Sequence, residues 1–194
     1  MLNKERQEEV VELCQHLIQK QSYSGHEDGV AGVLEEQLKK KGFDSVTVDK
    51  YGNVIGCIKG NRPGKKILFD GHIDTVPVTD ETEWQYPPFA AEIHDGKIYG
   101  RGTSDMKGAV AGFVTAAAAF AEDTKKDFAG EIYVAGVVHE ECFEGVAARE
   151  ISNFVKPDYV VIGEASQLNI KIGQRGRGEI VLETFGKPCH SANP

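Results

Sequence analysis

Between residues 5 and 20, Val10, Leu13, Leu17 and Ile18 recur at helical spacing with Gln, Glu and Lys between them, which predicts an amphipathic helix. Ser22-Tyr23-Ser24-Gly25 breaks it. A second helix is predicted from about residue 27 to 41, with Val30, Val33, Leu34 and Leu38 on one face and Gly42 as its C-terminal cap. The pattern then shifts to short apolar runs. Residues 46–48 and 54–58 read as strands around Tyr51-Gly52-Asn53, Asn61-Arg62-Pro63-Gly64 as a turn, and Ile67-Leu68-Phe69 as a buried strand. Ile93 and Ile98-Tyr99 flank His94-Asp95-Gly96-Lys97, a hairpin signal. A glycine-rich stretch, 100–105, leads into a helix of small apolar residues from Met106 to about residue 122. A continuous apolar strand (131–138), a helix (145–154) and another strand (158–162) follow, and 170–185 predicts two further strands around 173–178. Strands alternating with helices specify an α/β fold, a mostly parallel or mixed sheet flanked by helices.

Charge narrows the possible partners. The 194 residues hold 22 Lys and Arg against 30 Asp and Glu, a net charge of -8, with no basic cluster to neutralise phosphates, so no nucleic-acid partner is expected. Lys39-Lys40-Lys41 ends a predicted helix, where cations complement the dipole. The polar start, Met1 to Arg6, lacks the apolar core of a signal peptide, and the alanine-rich run at 109–121 is too short to span a bilayer. The four cysteines form no CxxC pair. A cytoplasmic protein with no membrane association is expected.

The candidate chemistry lies where apolar strands end. Ile67-Leu68-Phe69 leads to His72 and Asp74, two residues apart and so on one face of an extended chain. An imidazole with an acidic neighbour suits a metal ligand and its orienting group. Glu140-Glu141 and Glu164 follow two other apolar strands, and Asp105 precedes a helix. Each has an ordinary reading as well: a core histidine, a turn former before Pro77, a helix N-cap, a solvated helix start. Their coincidence at strand ends is less ordinary, because parallel neighbours would bring all of them to one rim, where open α/β sheets bind ligands. A glycine-loop nucleotide site at 100–108 is a rival, but Lys107 lacks the GKS or GKT ending.

Gly71-His72-Ile73-Asp74-Thr75-Val76-Pro77 and Gly100-Arg101-Gly102-Thr103-Ser104-Asp105-Met106-Lys107-Gly108 resemble the zinc amidohydrolase family of acetylornithine deacetylase, succinyl-diaminopimelate desuccinylase, the aminoacylases and glutamate carboxypeptidase. Glu140-Glu141, Gly163-Glu164 and Cys189-His190-Ser191-Ala192 follow in that family's order. The resemblance implies a metal-dependent hydrolase cleaving an amide bond of a small amino-acid-like substrate. It implies two divalent ions, zinc first, with cobalt or manganese accepted by the same donors. His72, Asp105, Glu141 and Glu164 would be the metal ligands, with Asp105 bridging. Asp74 would steer His72, Glu140 would be the general base, and His190 would bind substrate from a lid domain. The implied division is a catalytic portion, 1–177, and the start of a lid or dimerisation domain, 178–194. The rest of the lid and a last histidine ligand would lie further along a longer chain, forming a homodimer through the lid. The alternative is a metal-binding fragment or interaction protein that does not turn over.

Overall fold

The computed structural model describes residues 3–143, 145–173, 176, 178, 180–183, 185 and 186. It opens with two helices, α1 (Lys4–Ile18) and α2 (Asp28–Lys40). The Asn3 side chain accepts the Arg6 N–H at the start of α1. Its apolar stripe, Leu13, Cys14, Leu17 and Ile18, is buried. Gly42 closes α2 at a φ of 76°. The Phe43 N–H reaches back to the Leu38 carbonyl and that of Gly42 to Lys39, the closure that a left-handed residue permits.

Strands β1 (Ser45–Val48), β2 (Val54–Lys59), β3 (Arg62–His72), β6 (Ala129–Val137) and β7 (Tyr159–Ile162) form one mixed sheet in the order β1-β2-β6-β3-β7. β4 (Glu92–His94) and β5 (Lys97–Tyr99) form the separate hairpin expected from its turn. β1, β2 and β6 pair antiparallel, whereas β3 runs parallel to both β6 and β7. Register pairs Ile67 with Ile132 on one side and with Tyr159 on the other. Helix α3 (Gly108–Thr124) connects β3 to β6, and α4 (Val146–Val155) carries the chain from β6 over β3 to β7.

The two crossover helices take opposite faces. Phe69 meets Phe113 of α3 with ring centroids 5.1 Å apart, while Lys66, of the other parity, donates to the Val155 carbonyl of α4. Leu34 and Leu38 of α2 lie on the α3 face, where they meet Gly136 and Gly56. Gly71 is required there, because a Cβ would stand 2.8 Å from both Met106 Cε and Val110 Cγ2. β2 and β6 are buried on both faces, as parallel and central strands must be. Each buried Leu, Ile or Val contributes about 1.5–3 kcal/mol.

Two expectations change. The predicted turn at 61–64 is instead the start of β3, with a bulge between Arg62 and Lys66. Pro63 sits inside that irregularity, where its missing N–H breaks no ladder bond. The two strands predicted over 170–185 are not seen among the described residues, where Ile170, Ile172, Ile180, Val181, Leu182 and Phe185 are exposed. A strand requires a partner, and among the described residues the sheet ends at β7. β7 itself is apolar yet exposed on both faces.

Candidate metal centre

Because β3 lies between two parallel neighbours, the C-terminal ends of β6, β3 and β7 fall on one rim. β3 ends at His72, Glu140 and Glu141 follow β6, and Glu164 follows β7. Asp105 arrives from an irregular turn, Thr103–Lys107, ahead of α3. The backbone at Asp105 is extended (φ -130°, ψ 94°), and the N-cap of α3 is Lys107. Asp105 is therefore no helix cap, and its carboxylate is free to point at His72.

His72 is 2 % exposed. Its Nδ1 lies 2.9 Å from the backbone carbonyl of Asp74, and its Nε2 lies 2.8 Å from Asp105 Oδ1 and 3.5 Å from Glu164 Oε1. Burial alone would lower the imidazole's pKa, but the hydrogen bonds to Asp74 and Asp105 and the charge of Glu164 outweigh it and raise the pKa to about 10. Both ring nitrogens then donate, Nδ1–H to Asp74 and Nε2–H to Asp105.

The remaining acids crowd the same space. His72, Asp105 and Glu141 each offer a donor atom within 4.8 Å of the others, and so do His72, Glu140 and Glu164. Burial, then the neighbouring negative charges, push Glu140, Glu141 and Glu164 above the usual carboxylate range. Asp70, two residues before His72 on β3, is pushed up to about 6 by burial and then by Glu164. An imidazole whose Nδ1 is fixed by a backbone carbonyl, facing carboxylates short of positive charge, is a donor set that fits a divalent cation. Such an ion would take the place of the Nε2 proton.

Asp74 is fully buried, and its carboxylate is in neither donor group. It accepts from Ser24 Oγ at 2.6 Å and from the backbone N–H groups of Glu140 and Glu141 at 3.1 Å each. Burial opposes its charge, but His72, Ser24 and those two N–H groups hold it below the usual range. Its carboxylate Oδ1 stands 3.5 Å from His72 Nδ1. The expected steering of the ring is thus made mainly by the Asp74 carbonyl, and the side chain orders the glutamate pair.

The sequence profile of "Peptidase family M20/M25/M40" matches residues 68–193, a stretch that takes in His72, Asp74, Asp105, Glu140, Glu141 and Glu164. The chain belongs to this family. Over 196 residues it is 34% identical to succinyl-diaminopimelate desuccinylase 2 of Ruegeria sp. strain TM1040, an alignment covering 95% of this chain and 49% of that protein. The chain spans about half the length of the curated relatives it matches. Its fold matches an M20 metallo-carboxypeptidase from Sulfolobus solfataricus with a TM-score of 0.69 and 24% identity, covering 80% of this chain and 37% of that one. It also matches the Bacillus subtilis YXEP protein, a dinuclear metal-binding M20 peptidase, at a TM-score of 0.58 and 19% identity over 78% of this chain and 40% of that one. The mixed sheet with helices on both faces is the architecture of these neighbours.

Of the M20 candidates named from sequence, His72, Asp74, Asp105, Glu140, Glu141 and Glu164 converge; His190 lies outside the described residues. Supporting residues went unnoticed. Ser24 and Glu27 lie between and at the start of the first two helices; the former anchors Asp74, and Glu27 Oε1 accepts the His139 N–H. Lys107 is fully buried, its Nζ donating to the Leu17 and Lys20 carbonyls at the end of α1. Burial lowers its pKa to about 8. A lysine inside a stretch otherwise read as a helix start was the one available signal.

Proposed function

We propose that this chain forms the metal-binding core of an amide hydrolase acting on a small N-acyl or peptidyl amino acid. The convergence of an imidazole and four carboxylates from three parallel strand ends and one turn carries this reading. Membership of the M20 family and similarity to a named desuccinylase support it. His72, Asp105, Glu141 and Glu164 would hold two divalent ions, zinc first. When bound, such a pair polarises the amide carbonyl and makes a water acidic enough to attack at neutral pH.

Glu140 is the candidate base. It neighbours the ligand Glu141, and burial raises its pKa toward working pH, which favours taking a proton from the attacking water and returning it to the leaving amine. Asp74 fixes the backbone of both glutamates. The geometry also offers Glu140 as a donor beside His72 and Glu164.

Metal content by mass spectrometry, after purification without chelator, tests the reading. About one to two zinc ions per chain are expected, falling in His72→Ala and Glu141→Ala, with release of free amine from N-succinyl or N-acetyl amino acids. A wild-type protein that retains no metal after equilibration with zinc overturns it.

A further inference from the structure

Four consecutive backbone N–H groups run through the glutamate pair, and each is taken by a side-chain oxygen from elsewhere in the chain. Val138 donates to Asn53 Oδ1 and His139 to Glu27 Oε1, at 3.0 Å each. Glu140 and Glu141 donate to the two carboxylate oxygens of Asp74. Asn53 and Asp74 are fully buried, and Glu27 is nearly so. His139 stands at a φ of 59°, a left-handed conformation that a side chain keeps only where its surroundings hold it. Successive N–H groups that pass through a left-handed residue converge readily on anionic oxygens, and here those oxygens belong to Glu27 and Asp74.

Glu27 gives up a local partner to do this. It occupies the N-cap position of α2, yet its side chain makes no cap hydrogen bond there, although an acidic N-cap ordinarily accepts from its own first turn. Its Oε1 reaches His139 instead, across 112 residues of sequence, and His139 Nδ1 lies 3.5 Å from the same oxygen. The connection that carries Glu27 also grips the end of β3. Ser22 Oγ donates to the Ile73 carbonyl, the Ser22 carbonyl accepts the Thr75 N–H, and Ser24 Oγ donates to Asp74. Asn53 closes the other end of the glutamate segment, since its Nδ2 donates to the Ala147 carbonyl of α4 while its Oδ1 holds Val138.

We propose that Glu27 is a positioning residue of the metal centre: it fixes the backbone at His139, and so the direction from which Glu140 and Glu141 enter the site. The inference rests on the amide-hydrolase reading for what those two carboxylates do. Glu27 belongs to neither candidate donor group and acts through a backbone N–H alone. Partners of this outer kind change metal affinity by about 10–100-fold when removed.

Zinc affinity is measured by competition with a chromogenic chelator, and coordination by the visible spectrum of the cobalt-loaded chain. Amide exchange is followed on chelator-treated samples. Glu27→Met removes the acceptor at similar volume. Glu27→Asp withdraws it by one methylene, and carries the test if Glu27→Met does not fold. Glu27→Gln keeps a carbonyl oxygen for the His139 N–H. Ile58→Val is the control for general destabilisation, a core residue that pairs with Ile132 toward the other end of the sheet. Zinc affinity about tenfold or more below wild type is expected in Glu27→Met and Glu27→Asp, with an altered cobalt spectrum and faster exchange at residues 139–141. Glu27→Gln recovers most of each, and Ile58→Val leaves affinity and spectrum unchanged. Wild-type affinity in Glu27→Met, or in Glu27→Asp where Glu27→Met does not fold, overturns the proposal. So does a loss in Glu27→Gln or in Ile58→Val as large as that in Glu27→Met. A wild-type chain that binds no zinc defeats the hydrolase reading instead. Exchange at 139–141, faster in Glu27→Met and restored in Glu27→Gln, then still decides whether Glu27 holds the turn.

Discussion

Asp74 Oδ2 accepts the backbone N–H of Glu141 at 3.1 Å, across 67 residues of sequence. A side chain at the end of one strand thereby sets the backbone from which a candidate ligand beyond the neighbouring strand projects. Replacing Asp74 by Ala leaves the Glu140 and Glu141 N–H groups and Ser24 Oγ without their acceptor inside a buried site. Unfolding free energy falls by about 2–3 kcal/mol, and zinc affinity by about 10–100-fold. Denaturant titration and a competitive zinc titration read the two effects separately.

Glu140 and Glu141 separate by chemistry. Glu140→Gln keeps a full complement of metal and loses turnover by about 10²–10⁴-fold, the scale of a general base. Glu141→Gln lowers metal content first. If Glu140→Gln loses metal to the same extent, Glu140 is a ligand and the base must be sought elsewhere. Metal analysis alongside initial rates decides the assignment.

Lys107 joins the turn that carries Asp105 to the end of α1 through two carbonyls. Lys107→Met retains much of the volume but leaves those carbonyls unpaired, and destabilisation of about 1–3 kcal/mol is expected. Because Asp105 sits two residues away, zinc affinity also falls. Addition of saturating zinc then restores part of the lost stability, as mass action requires. A variant as stable as wild type removes Lys107 from this role.

Away from the site, Asp44 gives an acid-dependent prediction. Burial opposes its charge, but the hydrogen bonds from Lys126 and from the Lys59 N–H outweigh that and hold its pKa below the usual value. A depressed folded pKa means that the unfolded chain binds the proton more readily. The contribution of Asp44 is therefore present above pH about 4 and lost as pH falls through the lowered value. Asp44→Ala melts about 2 °C lower than wild type at pH 7. The gap narrows as pH falls below about 4. A difference that persists there assigns the effect to packing.

The strands that carry the site were the most legible part of the chain. Val134, Ala135 and Val137 belong to a strand buried on both faces, and such strands read as unbroken apolar runs. Their lateral order was not legible, since nothing local records that β7 crosses to the far side of β3. Pro63-Gly64 looked like a turn because those residues favour one, and only pairing across the sheet places them in a strand. Asp74 was picked out from the sequence, but its backbone partners lie 66 and 67 residues away and leave no periodic trace. Ser24 and Lys107 were passed over for the same reason: each supports the site through a contact that only tertiary structure creates.

Among the described residues β7 pairs with a single neighbour, and its residues are exposed on both faces, yet it delivers Glu164. Edge strands of this kind open without global unfolding, at a small fraction of the total free energy. Metal occupancy and local opening would then be two sides of one equilibrium: each excursion of β7 would withdraw Glu164, a candidate ligand, and a bound ion would hold the strand closed. The amides of Val160 and Val161 become the natural gauge of the centre. Their exchange with deuterium should slow on addition of zinc, while the amides of β2 and β6, protected by the core, should keep their rates.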